Sequence, residues 1–138
     1  MNILFREVAA MRIRRFVLLG WPCLLAIAAA PAHAASDLVI SQVYGGGGNS
    51  GATLRNDYVE LFNRGTVPVD LSGWSIQYAS AAGTTWNNKT NLGGIIAPGQ
   101  YFLVQQAAGT GGTTNLPPPD VVGTIALAAA SGKVALLN

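Results

Sequence analysis

The sequence predicts an all-β domain behind an export leader. Three observations carry this reading. Apolar residues after Ala35 recur with period two, and no long stretch has helical periodicity. Clusters of glycine, proline and threonine cut these runs into short segments, as turns between strands do. The first thirty-odd residues follow the three-part plan of a secretory signal.

In the leader, Arg6, Arg12, Arg14 and Arg15 form a basic region, residues 16–30 an apolar run, and Ala32-His33-Ala34 an A-x-A cleavage motif. The run is shorter than the roughly 18 residues of a membrane-spanning helix, and Pro22 lies inside it. The expected organisation is a helical signal peptide over 1–34, cleaved between Ala34 and Ala35, followed by one domain over 35–138. A retained amino-terminal anchor is the alternative. The expected location is outside the cytoplasm, secreted or in a periplasm or cell envelope, with no membrane span once the signal is removed.

Removing the leader reverses the charge. The whole chain of 138 residues carries +2. Residues 35–138 hold Arg55, Arg64, Lys89 and Lys133 against Asp37, Asp57, Glu60, Asp70 and Asp120, a net charge of −1. That leaves no basic footprint for nucleic acid. Cys23 and His33, the sole cysteine and histidine, fall in the leader, so the domain must be stabilised by its core without disulfides.

Residues 38–44 read as a first strand, which stops at Gly45-Gly46-Gly47-Gly48. Residues 45–56 read as a flexible glycine-rich loop. Residues 57–63 alternate as a second strand, with Val59 and Leu61 on one face and Tyr58, Glu60 and Phe62 on the other. Residues 65–73 are rich in turn formers, Pro68 among them. A third strand is expected over 74–78, where Trp74, Ile76 and Tyr78 share a face and Trp74 is buried. Residues 86–92 are ambiguous. Ala97-Pro98-Gly99 turns into a strand over 100–105, and 107–120 form a long surface loop with Pro117-Pro118-Pro119 locally extended. Residues 121–127 are expected to pair weakly. Ser131-Gly132 leads into an apolar strand over 133–137, just before Asn138. An open edge there invites another strand, so the expectation is a fragment, or a sheet that a partner completes.

Little of this carries chemistry. The run from Gly45 to Gly51 lacks the Gly-Lys-Ser/Thr ending of a phosphate-binding loop and reads as a strand connection. Asp57 and Glu60, three apart on a strand, face opposite sides and make no carboxylate pair. Asp57 with Asn49 and loop carbonyls forms a weak calcium candidate, against surface or turn-capping roles. Tyr58 and Phe62 are weighed as exposed partner contacts against core, and core is favoured. Asn88-Lys89-Thr90 has the form of a glycosylation acceptor. Histidine-dependent acid–base catalysis, cysteine nucleophiles and most zinc sites need residues that 35–138 lack. No catalytic residue and no cofactor are expected.

The passage Asp57-Tyr58-Val59-Glu60-Leu61-Phe62-Asn63 with Val69-Asp70-Leu71-Ser72-Gly73-Trp74 resembles the signature of the lamin tail domain family, an immunoglobulin-like β-sandwich. Ile96-Ala97-Pro98-Gly99-Gln100-Tyr101-Phe102-Leu103-Val104, Ala107-Ala108-Gly109-Thr110-Gly111-Gly112 and Ser131-Gly132-Lys133-Val134-Ala135-Leu136 are similar to its exported bacterial branch. In that branch the domain often precedes an endonuclease/exonuclease/phosphatase-type nuclease. The likeness covers about 37–138. It implies Val59, Leu61, Trp74, Ile76, Phe102 and Val104 as sandwich core, which the periodicity suggests independently. The family's domain normally continues past 133–137 with further strands, so the resemblance implies a sandwich truncated at its carboxyl end and of marginal stability. It carries no catalytic residue across. The function expected is a non-catalytic binding or scaffolding module of an exported protein that positions a partner domain or holds the protein near a surface, polymer or nucleic acid. The alternatives are the amino-terminal part of a secreted nuclease and a self-assembling structural domain.

Overall fold

The computed structural model describes residues 37–138. The leader helix and the cleavage position at Ala34 and Ala35 lie outside the described residues. The first sheet grows from the alternation of β2 (Asn56–Asn63), whose residues are buried and half-buried in turn. Asp57, Val59, Leu61 and Asn63 point inward, while Asn56, Tyr58, Glu60 and Phe62 point outward. β1 (Leu38–Tyr44) pairs antiparallel with one edge of β2, Leu38 opposite Asn63 and Tyr44 opposite Tyr58. Its register shifts between Ile40 and Gln42, leaving Ser41 as the extra residue of a bulge.

Residues 65–73 are not turn alone. β3 (Val69–Asp70) pairs with β6 (Ile95–Ile96) in a separate two-stranded ladder, Val69 opposite Ile96. β4 (Ser75–Ser80) then runs through the second sheet with Ile76 and Tyr78 inward, flanked by β5 (Asn88–Asn91). β5 resolves the ambiguous 86–92 stretch: it is polar, and Thr90 alone is buried. β7 (Tyr101–Ala108) pairs antiparallel with β2 and extends beyond the expected strand. β8 (Val121–Val122) lies parallel to β7, and β9 (Gly132–Leu137) lies along the free side of β4.

The strand orders are β1-β2-β7-β8 and β5-β4-β9, facing each other as an immunoglobulin-like β-sandwich with no helix among the described residues. Val59, Leu61, Ile76 and Val104 have no exposed surface, and Leu71, Ile96 and Phe102 join them in one core. Of residues 121–127 only β8 is a strand, although Gly123 N still donates to Gln105 O and Ile125 O accepts from Ala107 N of β7. Beyond β8, Ile125 and Leu127 enter the core outside any strand, their amides bonded to the Gln106 and Asp57 side chains instead of a ladder.

Trp74 corrects the sequence expectation. It precedes β4, bonds through its amide to the Leu71 carbonyl, and is only partly buried at the rim of the core. The loop at 45–56 differs as well. Gly47 and Gly48 are buried, and Gly48 donates to Leu54 O at 2.8 Å while accepting from Gly111 N at 2.7 Å. A side chain at Gly48 or at Gly109 would overlap the backbone of the other. These glycines serve close backbone approach between two loops, 45–55 and 109–114, which is the opposite of freedom.

Candidate functional site

Two strand edges lie on one side of the sandwich. Among the described residues, β1 has a neighbour only in β2, and β9 only in β4. Neither has a second strand beside it on its outer side among the described residues, the position at which another strand can add. The inward residues show the consequence. In central strands they are fully buried, but Ile40 of β1 and Val134 and Leu136 of β9 are half-buried, and Val43, opposite the fully buried Val59, is 45% exposed. Leu38, Val39, Ile40, Trp74, Leu136 and Asn138 line a groove of about 380 Å³ between the two edges. None of the six is charged. Lys133, the one charged residue of β9, sends its ammonium to the Gly83 carbonyl and over the Trp86 ring, 5.8 Å from its centroid. It therefore does not act as the edge charge that commonly discourages strand addition.

The carboxylate weighed as a calcium ligand lies inside the sandwich and accepts two backbone hydrogen bonds. Asp57 is 4% exposed, and its Oδ1 accepts from Gly47 N and its Oδ2 from Leu127 N, both at 2.8 Å. Burial pushes its pKa up, and the Leu127 and Gly47 amides pull it back only in part. Asn49 is exposed on the loop, its backbone tied to Gly46 and Ala52. No group of three or more His, Cys, Asp or Glu side chains that could hold a metal occurs among the described residues.

Of the six residues expected in the core, Val59, Leu61, Ile76, Phe102 and Val104 are there, and Trp74 belongs to the groove instead. Tyr58 and Phe62 are on the outer face, half-buried. Tyr58 stacks on Tyr44 with ring centroids 5.5 Å apart, and Phe62 meets Tyr101 at 4.7 Å. The core placement favoured for both is thereby corrected: they lie opposite in phase to Val59 and Leu61, so the alternation of β2 turns them outward.

Sequence reasoning missed two buried polar clamps. Asn63 donates from Nδ2 to Val67 O at 2.8 Å and to Ile96 O at 3.0 Å, and its Oδ1 accepts from Gly65 N at 2.9 Å. Gln106 accepts through Oε1 from Thr90 Oγ1 and Ile125 N, both at 3.0 Å, while its buried Nε2 has no partner. Only their inward phase within strands marks them in the sequence. The Thr90 hydroxyl of the Asn88-Lys89-Thr90 triplet is thereby committed to the interior.

No curated protein matches the chain. The family profile of the lamin tail domain matches residues 31–138, which includes every described strand. That domain is a β-sandwich and generally a non-catalytic binding or scaffold module, in keeping with the sheets and core described above. The chain belongs to the lamin tail domain family.

Proposed function

We propose that this chain is a non-catalytic binding and scaffolding module of an exported protein, and that it meets its neighbour along the open side of the sandwich. The observation that carries the reading is the half-buried state of Ile40, Val134 and Leu136 at two free strand edges beside an uncharged groove. Another polypeptide chain laid along β9 would satisfy its outward amides and carbonyls and cover these side chains. The leader-like amino terminus, with Ala32-His33-Ala34 before the domain, supports export to the cell envelope or beyond.

In the intact exported protein, the neighbour we propose is a metal-dependent nuclease domain, on the likeness of residues 96–104, 107–112 and 131–136 to the nuclease-associated branch. The DNA downstream of codon 138 tests that part directly. A nuclease reading frame supports it, and a stop codon removes it. Self-association is the second reading, favoured by the unguarded edge of β9.

The module itself is tested by binding assays of the full chain against duplex DNA, a cell-wall polymer and any polypeptide encoded in frame with it. Saturable binding that Leu136→Lys weakens, with the thermal transition retained, supports the reading. A folded chain that binds none of these and sediments as a monomer at all concentrations overturns it.

A further inference from the structure

The outer face of the β1-β2-β7 sheet holds a carboxylate that the open side does not use. Glu60 sits mid-strand on β2, opposite Gln42 of β1 and Leu103 of β7. The Tyr44–Tyr58 pair flanks it on one side and the Phe62–Tyr101 pair on the other. Glutamate is disfavoured on such a surface, where strands prefer aromatic and β-branched residues. Here the carboxylate is held in place. The bulge in β1 turns Ser41 toward it, and Ser41 Oγ lies 2.7 Å from Glu60 Oε1 and 3.1 Å from the Glu60 carbonyl.

Beside it is a groove of about 200 Å³ with walls from Gln42, Leu54, Tyr58, Leu103, Leu116 and Pro117. The last two come from the extended proline segment, which crosses to the sheet and closes one side. The groove therefore has three leucines and a proline, the Tyr58 ring, the Gln42 amide and one negative charge held by Ser41. No ion pair to Glu60 forms among the described residues. Burial first, then the Glu60 charge and Tyr44, push the Tyr58 pKa up.

We propose that this groove takes the side chain of a lysine or arginine from an extended segment of a partner protein. The methylene stem would lie against Leu103, Leu116 and Pro117, and the cationic head would pair with Glu60 and the Tyr58 ring. A fixed carboxylate among aromatics repels anions, which sets nucleic acid and acidic polymers aside. The volume suits one long side chain and excludes a packed helix. This contact lies on the outer face of one sheet, apart from the β1–β9 groove, so it stands or falls separately from the function proposed above.

The test is amide chemical-shift mapping of the full chain titrated with acetyl-Gly-Lys-Gly-amide, acetyl-Gly-Arg-Gly-amide and acetyl-Gly-Gln-Gly-amide. The cationic peptides are expected to give saturable shifts at Tyr58, Glu60, Leu103 and Leu116. The glutamine peptide should bind about tenfold more weakly or worse, the scale of one charge-assisted hydrogen bond. Glu60→Gln should bring the lysine peptide down to the same level, while Leu136→Lys leaves it unchanged. Equal affinity for the glutamine peptide, no saturable shift at these residues, or shifts with a neutral oligosaccharide alone would each overturn the proposal. The comparison among peptides decides the matter even where Glu60→Gln perturbs folding.

Discussion

The Asp57 carboxylate and the Leu127 amide, 70 positions apart, meet at 2.8 Å inside the sandwich. The other oxygen of Asp57 takes the Gly47 amide, also at 2.8 Å, so one side chain fastens the glycine loop and the 123–131 segment to β2. Neither segment has a ladder partner at that point, which makes the carboxylate a substitute for a strand.

Asp57→Ala is therefore expected to destabilise the fold by about 1–3 kcal/mol for each amide left unpaired. Asp57→Asn keeps one acceptor but sets its NH₂ against the second amide, so it too should destabilise. Denaturant unfolding at neutral pH checks both. Stability equal to wild type in either variant would show that water satisfies these amides.

Titration of Asp57 has a definite sign. Its pKa is higher folded than unfolded, because burial outweighs the two hydrogen bonds. Its contribution to stability is thus fully present below the ordinary aspartate value and declines as pH rises through the raised one. Asp70 runs the other way. The Ser72 amide at 2.9 Å and the Ser72 hydroxyl lower its pKa, so its contribution is present above the ordinary value and is lost as pH falls through the depressed one. Unfolding free energies measured from acid to neutral pH should show the wild type losing stability relative to Asp57→Asn as pH rises. They should show it gaining relative to Asp70→Asn. A reversed slope in either pair refutes the corresponding assignment.

The long alternating strands were legible in the sequence, and the reason is physical. β2 and β7 bury every second side chain, and β1 and β9 are apolar runs bounded by glycine, signals that are visible without a structure. β3 and β6 are two residues each, too short to show a period, and β5 is polar with Thr90 alone inward. Ile125 and Leu127 reach the core without a strand, held by side-chain acceptors that no local pattern announces. A glycine run reads the same whether it serves freedom or close packing, so the 45–55 loop was legible as a loop and its rigidity was not. Half of the candidate site was legible. The edge at β9 follows from the apolar run 133–137, whereas the contribution of Ile40 and Val43 depends on strand order, which the local pattern does not contain.

Gly48 and Gly51 separate the two roles of glycine in that loop. Both have positive φ, 68° and 79°. A Cβ at Gly51 meets nothing within 4 Å, whereas at Gly48 it overlaps the backbone of Gly109. Gly51→Ala should cost only the left-handed conformation, about 1–2 kcal/mol. Gly48→Ala should add about 1–3 kcal/mol of overpacking to that, because backbone cannot give way as a side chain can. Thermal denaturation of the two variants side by side checks the difference, and equal losses would mean that the 109–114 loop is free to move.

Asn63 supports a similar comparison at the other end of β2. It has no exposed surface and holds Gly65, Val67 and Ile96 through three hydrogen bonds. Asn63→Asp keeps the acceptor for Gly65 but turns two carbonyls toward a carboxylate. It should destabilise by more than the about 1–3 kcal/mol of a single buried polar group left unpaired. Denaturant unfolding near neutral pH measures this, with recovery expected on acidification as the carboxyl regains a proton to donate. A loss that does not recover in acid would place the damage elsewhere than in the charge.

The open side predicts an asymmetry within the core itself. Leu61 has no exposed surface and lies at the centre of the first sheet, whereas Leu136 is half-buried on β9 and lines the groove. Leu61→Ala should destabilise by about 2–5 kcal/mol, since neighbours on every side leave a cavity that cannot collapse. Leu136→Ala removes the same atoms from a wall that water already reaches. Its cost should fall below that range, because part of the transfer from water was never made. Equal losses at the two positions, measured by denaturant unfolding of the full chain, would mean that the groove is covered in solution by something that protects Leu136 as completely as the opposing sheet protects Leu61.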